Sequence, residues 1–217
     1  MDATIRSQSL YWKGESNYRL GNSEAARSNW EMFRQMPGAS SLPEYDLIDY
    51  NLGYVYFNDG EYAQALPLFI AFNDKVNQET RPDIAADARN RIGDCYYIKA
   101  DYASAIKYYD KVIDYSRLDA DYAMFQKGFA LGLSNNNAAK VSTLTSLIEK
   151  YPKSAYLPNA LFERGRAYVT LDQPALGEAD FTKIIAWYTG SQFVPPAIVQ
   201  LGLIYYNAGE NEKAVAQ

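Results

Sequence analysis

Residues 51–72 read NLGYVYFNDGEYAQALPLFIAF, which sets Gly53, Tyr54, Tyr56, Gly60 and Tyr62 within ten positions, ahead of an apolar run. Apolar residues spaced by three and four predict helix. Glycine in a helix interior nevertheless costs about 1 kcal/mol relative to alanine, so something must compensate for it at Gly53. Either a ligand or another backbone comes close there.

The stretch is not unique. Beside YNLGYVYFNDGEYAQALPLFIAF from Tyr50 stand YWKGESNYRLGNSEAARSNWEMF from Tyr11, NRIGDCYYIKADYASAIKYYDKV from Asn90, FQKGFALGLSNNNAAKVSTLTSL from Phe125, FERGRAYVTLDQPALGEADFTKI from Phe162 and VQLGLIYYNAGENEKAVAQ from Val199. The fourth residue of each is Gly14, Gly53, Gly93, Gly128, Gly165 or Gly202, recurring every 35 to 40 residues. Such a period is the mark of a repeat architecture. Three positions after each glycine come Asn17, Tyr56, Tyr96, Leu131, Tyr168 and Tyr205. Seven positions after it come Gly21, Gly60, Ala100, Asn135, Asp172 and Gly209, a set that marks a turn. Twelve after it the residues are mostly small (Ala26, Ala65, Ala105, Lys140, Gly177, Ala214), and sixteen after it they are large (Trp30, Phe69, Tyr109, Leu144, Phe181).

Each unit therefore reads as two amphipathic helices, the first of about 14 residues and carrying the glycine, joined by a short turn. Ser23 with Glu24, and Pro174 at a first-turn position, suit the starts of second helices, while Ser154 suits the N-cap of a first helix. The small residues let paired helices approach, and the large ones fill the space beside them. Neither helix could bury its face alone, so the expected architecture is all-α. The units run approximately over 4–38, 45–79, 83–117, 119–152, 154–189 and 195–217, the last cut short at Gln217, and the natural protein is expected to continue beyond it.

Leu52-Gly53, Tyr56, Ala65 and Phe69, and again Leu201-Gly202, Tyr205 and Ala214, make the chain resemble tetratricopeptide repeat (TPR) proteins. The resemblance covers essentially the whole chain and implies an α-solenoid wound as a right-handed superhelix. The spacing exceeds the usual 34 residues, so longer helices or connections are expected, as in QMPGASSLPEYD and NQETRPDI. Lys140 replaces a small residue, which predicts a less regular hairpin in the fourth unit. The segment LIEKYPKSAYLPNALFERGRAYVTL, with its YPKS junction, resembles the repeats of bacterial cell-envelope proteins, the outer-membrane assembly lipoprotein and Tol-Pal coordinator families. That likeness favours the periplasm or cell envelope over the cytoplasm.

Composition narrows the function. The 217 residues are 48% hydrophobic, ample for folding, with a formal charge of −5 that gives no electrostatic reason to approach nucleic acid or anionic lipid. The longest apolar stretches fall short of the roughly 20 residues of a membrane span. Met1 is followed by DATIRSQSLYWKG, without the apolar core of a secretory signal, and any targeting segment is expected to lie outside this stretch. There is no histidine, which removes Ser-His-Asp and Cys-His catalysis and histidine-based zinc sites. The single cysteine, Cys95, cannot form an internal disulfide and reads as a buried filler.

The acids of EYDLIDY and RLDADY suit a helix start and a turn better than a glycosidase pair. DADY lacks the central Gly and terminal Glu of a calcium loop, and GNSEAAR lacks the spacing of a phosphate loop. No catalytic residue, metal or cofactor is expected.

The resemblance implies that first helices line the concave surface and that partners touch positions three before, one after and four or five after the glycine. These are Tyr11, Glu15 and Tyr18; Tyr50, Tyr54, Phe57 and Asn58; Asn90, Asp94 and Tyr97; Phe125, Phe129 and Gly132; Phe162, Arg166 and Val169; and Leu203, Tyr206 and Asn207. The partner-binding candidates are Tyr50, Tyr54, Phe57, Asn58, Asn90, Asp94, Tyr97, Phe125, Phe129, Phe162 and Arg166. The Lys and Asn clamp with which chaperone-binding relatives hold a peptide carboxylate is not expected among them. The function implied is a protein or peptide interaction scaffold, with no direct membrane insertion. Two alternatives stand beside it: a structural spacer whose aromatics are buried against neighbouring repeats, and a helical-hairpin carbohydrate-active enzyme.

Overall fold

A computed structural model describes residues 3–77, 79–115 and 118–216; Met1, Asp2, Gln78, Ser116, Arg117 and Gln217 lie outside the described residues, and with Gln217 the expectation of a truncated end. Among the described residues are twelve α-helices: α1 (Ala3–Arg19), α2 (Ser23–Gln35), α3 (Ile48–Asn58), α4 (Tyr62–Asn73), α5 (Pro82–Ile98), α6 (Tyr102–Tyr115), α7 (Ala120–Leu133), α8 (Asn137–Lys150), α9 (Leu157–Thr170), α10 (Pro174–Trp187), α11 (Val194–Asn207) and α12 (Asn211–Val215). The architecture is all-α, of tandem helices packed pairwise, as the repeat pattern requires.

The residues seven after the register glycine end the odd-numbered helices by a shared backbone device. All six sit in the left-handed region: Gly21, Gly60 and Gly209 at φ between +76° and +79°, and Ala100, Asn135 and Asp172 between +58° and +62°. The next amide then folds back onto the carbonyl three after the register glycine. Asn22 donates to Asn17, Glu61 to Tyr56, Asp101 to Tyr96, Asn136 to Leu131, Gln173 to Tyr168 and Glu210 to Tyr205, at 2.8–3.0 Å. This Schellman arrangement satisfies carbonyls that the helix end would otherwise leave open.

The glycine at the head of the pattern also finds its cause. A Cβ placed on Gly14 would lie 2.5 Å from Trp30 Cδ1, on Gly53 2.9 Å from Phe69 Cε1, on Gly128 2.7 Å from Leu144 Cδ2 and on Gly165 2.8 Å from Phe181 Cε1. The large residue sixteen positions on thus lies against the glycine itself, so the hairpin closes side chain to backbone, by a ring in three cases and by Leu144 in the fourth. At Gly177 the approach is backbone to backbone, its Cβ position 2.9 Å from the Gly165 carbonyl oxygen. Neighbouring chain, not ligand, accounts for these glycines.

The chain divides into two compact units, residues 1–101 and 102–217. In the first, α1 packs on α2, α2 on α3, α3 on α4 and α4 on α5. Its core gathers Tyr11, Trp30, Phe33, Ile48, Leu52 and Val55. The long QMPGASSLPEYD connection is two short 3-10 turns, Ala39–Ser41 and Pro43–Leu47. In the second unit, consecutive helices from α6 to α12 pack in turn, around one cluster with Met124, Phe125, Leu144 and Leu147 and another with Leu161, Phe181, Ile184 and Leu201.

Pro174 takes the first position of α10. Ser154 is not the N-cap of α9, which is Tyr156. Its hydroxyl instead accepts from the Tyr156 amide at 3.1 Å and donates to Asp121 of α7 at 2.5 Å, so it ties two hairpins together. Lys140 does not disturb its hairpin. Gly132 leaves the room it needs, a Cβ there lying only 3.1 Å from Lys140 Cδ and Nζ, and the lysine runs through this gap to Glu163.

Candidate functional site

In the first unit the odd-numbered helices are joined by side-chain rungs. Asn51 Nδ2 on α3 donates to Tyr11 Oη on α1 at 3.1 Å, and Asn58 Nδ2 donates to Tyr18 Oη at 2.8 Å. The next rung has the opposite sense: Tyr50 Oη donates to Asp87 Oδ2 on α5 at 2.8 Å, and Tyr54 Oη donates to the same oxygen. Arg91 completes the group, with Nη1 2.7 Å from Asp94 Oδ2, Nε 3.6 Å from Asp87 Oδ1, and its guanidinium 5.3 Å from the centre of the Phe57 ring. Burial, then the charge of Asp87 and its hydrogen bond, hold the Tyr50 and Tyr54 phenols well above the usual tyrosine range. Both therefore remain neutral donors. Behind them the rings meet Phe69 edge to face, Tyr54 at 5.3 Å and Tyr50 at 6.2 Å.

Between α1 and α3 this leaves a pocket of about 300 Å³, lined by Glu15, Tyr18, Trp30, Tyr50, Asn51 and Tyr54. In the second unit a pocket of about 320 Å³ lies between α7 and α9, with Phe129, Gly132, Lys140, Glu163, Arg166 and Thr170 in its wall. Lys140 Nζ is 2.5 Å from Glu163 Oε2, both side chains being buried, and Arg166 Nη1 is 3.4 Å from Glu163 Oε1 while its guanidinium reaches solvent. Two cations thus share one carboxylate beside the Phe129 ring.

The expected contact residues fall into groups. Tyr50, Tyr54, Phe57 and Asp94 meet around Asp87 and Arg91. Asn58 is exposed and Tyr97 half-buried. Phe129 and Arg166 line one pocket. Asn90, Asp94, Phe125 and Phe162 are buried: Phe125 stacks on Tyr156 at 5.3 Å, and Phe162 packs between Phe181 and Phe193. Glu15, Tyr18 and Gly132, at the same register positions, do line pockets.

Sequence reasoning missed Asn51, Asp87, Lys140 and Glu163. Two of them share a signal. The position two before the register glycine holds Asn51, Arg91, Gln126, Glu163 and Gln200, polar in every unit after the first, where it is Trp12. Asn51 and Glu163 enter the pockets from this position. The tyrosines three after the glycine pack under cations, with Arg27 5.3 Å from the Tyr56 ring centre and Arg164 5.7 Å from that of Tyr168, and Tyr205 Oη donates to Glu178 at 2.7 Å. Cys95 is buried, which pushes its thiol up to about 12. Among the described residues no cluster of three or more metal-binding side chains occurs, and no helix is long and apolar enough to cross a membrane.

Tandem helical hairpins with side-chain-to-glycine closure define the class, and residues 50–123 and 122–154 match family models of the tetratricopeptide repeat. Over residues 50–154 the chain thus carries tetratricopeptide repeats. No curated protein matches the chain. Among solved structures, the apo form of RapI is 13% identical with a TM-score of 0.80, over 94% of this chain and 60% of that one. The C-terminal part of a TPR repeat-containing protein from Cytophaga hutchinsonii is 18% identical with a TM-score of 0.78, over 97% and 80%. YrrB, described as a TPR protein with an unusual peptide-binding site, is 16% identical with a TM-score of 0.65, over 81% and 83%. At these identities the likeness is one of fold.

Proposed function

We propose that the chain is a non-enzymatic scaffold that binds extended or helical partner segments on the faces of the odd-numbered helices within each unit. The observation that carries this reading is the recurrence of a surface pocket at the same register in both units, between α1 and α3 and between α7 and α9. TPR repeats generally bind proteins or peptides, and YrrB is named for such a site. A pre-formed surface orders little on binding, so rigid pockets retain more of their contact energy as affinity.

Burial favours a second reading for part of this face. Phe125 and Phe162 are buried, which suits a spacer at those two positions, while Tyr50 and Tyr54 have their hydroxyls tied to Asp87 and keep their rings in the α1–α3 lining. A place in the bacterial cell envelope rests on the YPKS junction, and a secretion signal in the native gene would support it.

Selection from a displayed peptide library tests the scaffold. The expected result is a set of peptides whose binding is lost in Tyr18→Ala or Arg166→Ala and kept in Gln64→Ala, an exposed site on α4, with all three variants keeping the parent's helical circular dichroism at the assay temperature. Selected peptides indifferent to the first two substitutions, or none selected at all, would overturn it.

A further inference from the structure

The pocket between α1 and α3 differs from its counterpart in the second unit in both sign and wall. Of its six lining residues four are aromatic, and Glu15 is the one ionisable carboxylate; no Lys or Arg contributes. The rings lie close together, Tyr18 and Trp30 at 5.8 Å between centres and Tyr50 and Tyr54 at 5.0 Å. The hydroxyls of Tyr50 and Tyr54 are engaged by Asp87, and the indole N–H of Trp30 donates to the Tyr11 carbonyl at 3.0 Å. Tyr50 and Tyr54, half-buried, therefore offer an occupant their rings, while Trp30, 1% exposed, forms the floor behind them. Asn51 donates through Nδ2 to Tyr11, which leaves its Oδ1 as an acceptor in the lining.

Glu15 stands in the lining and Asp87 behind the tyrosines, and the cation on that side, Arg91, is itself shared between Asp87 and Asp94. Burial raises the Tyr18 phenol, and after the opposing Asn58 hydrogen bond the charges of Glu15 and Asp87 raise it further. Among the described residues Glu15 pairs with Arg19, one turn along α1 at 2.8 Å, and the Arg19 side chain is 76% exposed. An exposed pair of this kind is weak, so Arg19 can be displaced. In the second unit the equivalent pocket carries Lys140 and Arg166.

Aromatic faces with a carboxylate at the rim attract desolvated cations, and a volume of about 300 Å³ holds a side chain more readily than a peptide segment. We infer that the α1–α3 pocket receives the guanidinium or ammonium group of an Arg or Lys side chain, so that the bound segment is basic where it crosses this face. The inference rests on the scaffold reading and names the chemistry of its partner.

The full chain, isotope-labelled for NMR, would be titrated with acetyl-arginine amide, acetyl-lysine amide and the uncharged isostere acetyl-citrulline amide. The two cations are expected to shift the Trp30 indole and the amides of Tyr18 and Asn51, and citrulline is not; whichever of Arg and Lys binds tighter identifies the preferred residue. Glu15→Gln should weaken binding roughly five-fold, and Arg19→Ala should strengthen it by removing the competitor for Glu15. A packing role would produce no such opposite signs. Equal shifts with citrulline, no shifts at all, or indifference to both variants would overturn the inference. The displayed-peptide selection would still judge the scaffold independently.

Discussion

At Gly14 an added methyl would meet the five-membered ring of Trp30 at 2.5 Å, and Trp30 is 1% exposed with its N–H tied to the Tyr11 carbonyl. The ring cannot step aside. Gly14→Ala should therefore destabilise the protein by about 1–3 kcal/mol in denaturant unfolding, although alanine is the better helix former. Gly60→Ala has open space around its Cβ and an unfavourable φ of +79°, so it should cost about 1 kcal/mol from strain alone. A Gly14→Ala variant as stable as the parent would remove the packing explanation. Both glycines were legible in the sequence, because a period repeated six times isolates them from the background. What was not legible was that the sixteenth residue's ring, and not the partner backbone, occupies the space at Gly14, Gly53 and Gly165. Periodicity shows which residues face each other and not which atoms touch.

Between elements, the ion pair of Lys140 and Glu163 joins α8 to α9 through the gap at Gly132. Removing the lysine leaves a buried carboxylate with Arg166 at 3.4 Å as its remaining cation. Lys140→Ala is expected to cost about 3–5 kcal/mol, and the double variant Lys140→Met with Glu163→Leu considerably less, since no charge is then stranded. Thermal melts of the three proteins decide this; equal losses would show that the pair contributes only volume. Lys140 stood out in the sequence as a departure from a small position, yet its partner lay 23 residues on and one helix over. Ser154 failed as a helix cap for a related reason. Its hydroxyl is taken by Asp121 of α7 and by the Tyr156 amide, contacts that cross hairpins and leave no mark in a local pattern.

For the molecule as a whole, the raised tyrosines predict how stability responds to base. A phenol titrates near 10 in the unfolded chain, while Tyr50 and Tyr54 hold their protons higher in the fold, through burial first and Asp87 second. The folded state then binds more protons above that pH, so their contribution is complete below about pH 10 and lost as the pH climbs through the folded values. Melting temperature should hold through pH 9 and fall above about 10, with a shallower fall in Tyr54→Phe. A melting temperature equally flat to pH 11 in both proteins would contradict this.

Repeat architectures distribute stability by neighbour, and hydrogen exchange should register it. In Lys140→Ala, amides of α7 to α9 are expected to exchange faster while those of α1 to α4 keep the parent rates. Uniform acceleration would instead mean that both units open together.

The left-handed turns carry one more consequence. Gly, Ala, Asn and Asp all occupy the same turn position, because backbone bonds hold its conformation and side chains do not. The chain is thus permissive about the identity of that residue and strict about its presence. Deleting Gly21 would rotate α2 by about 100° relative to α1, carrying Trp30 off Gly14, whereas substituting Gly21 would leave the phase of the hairpin intact.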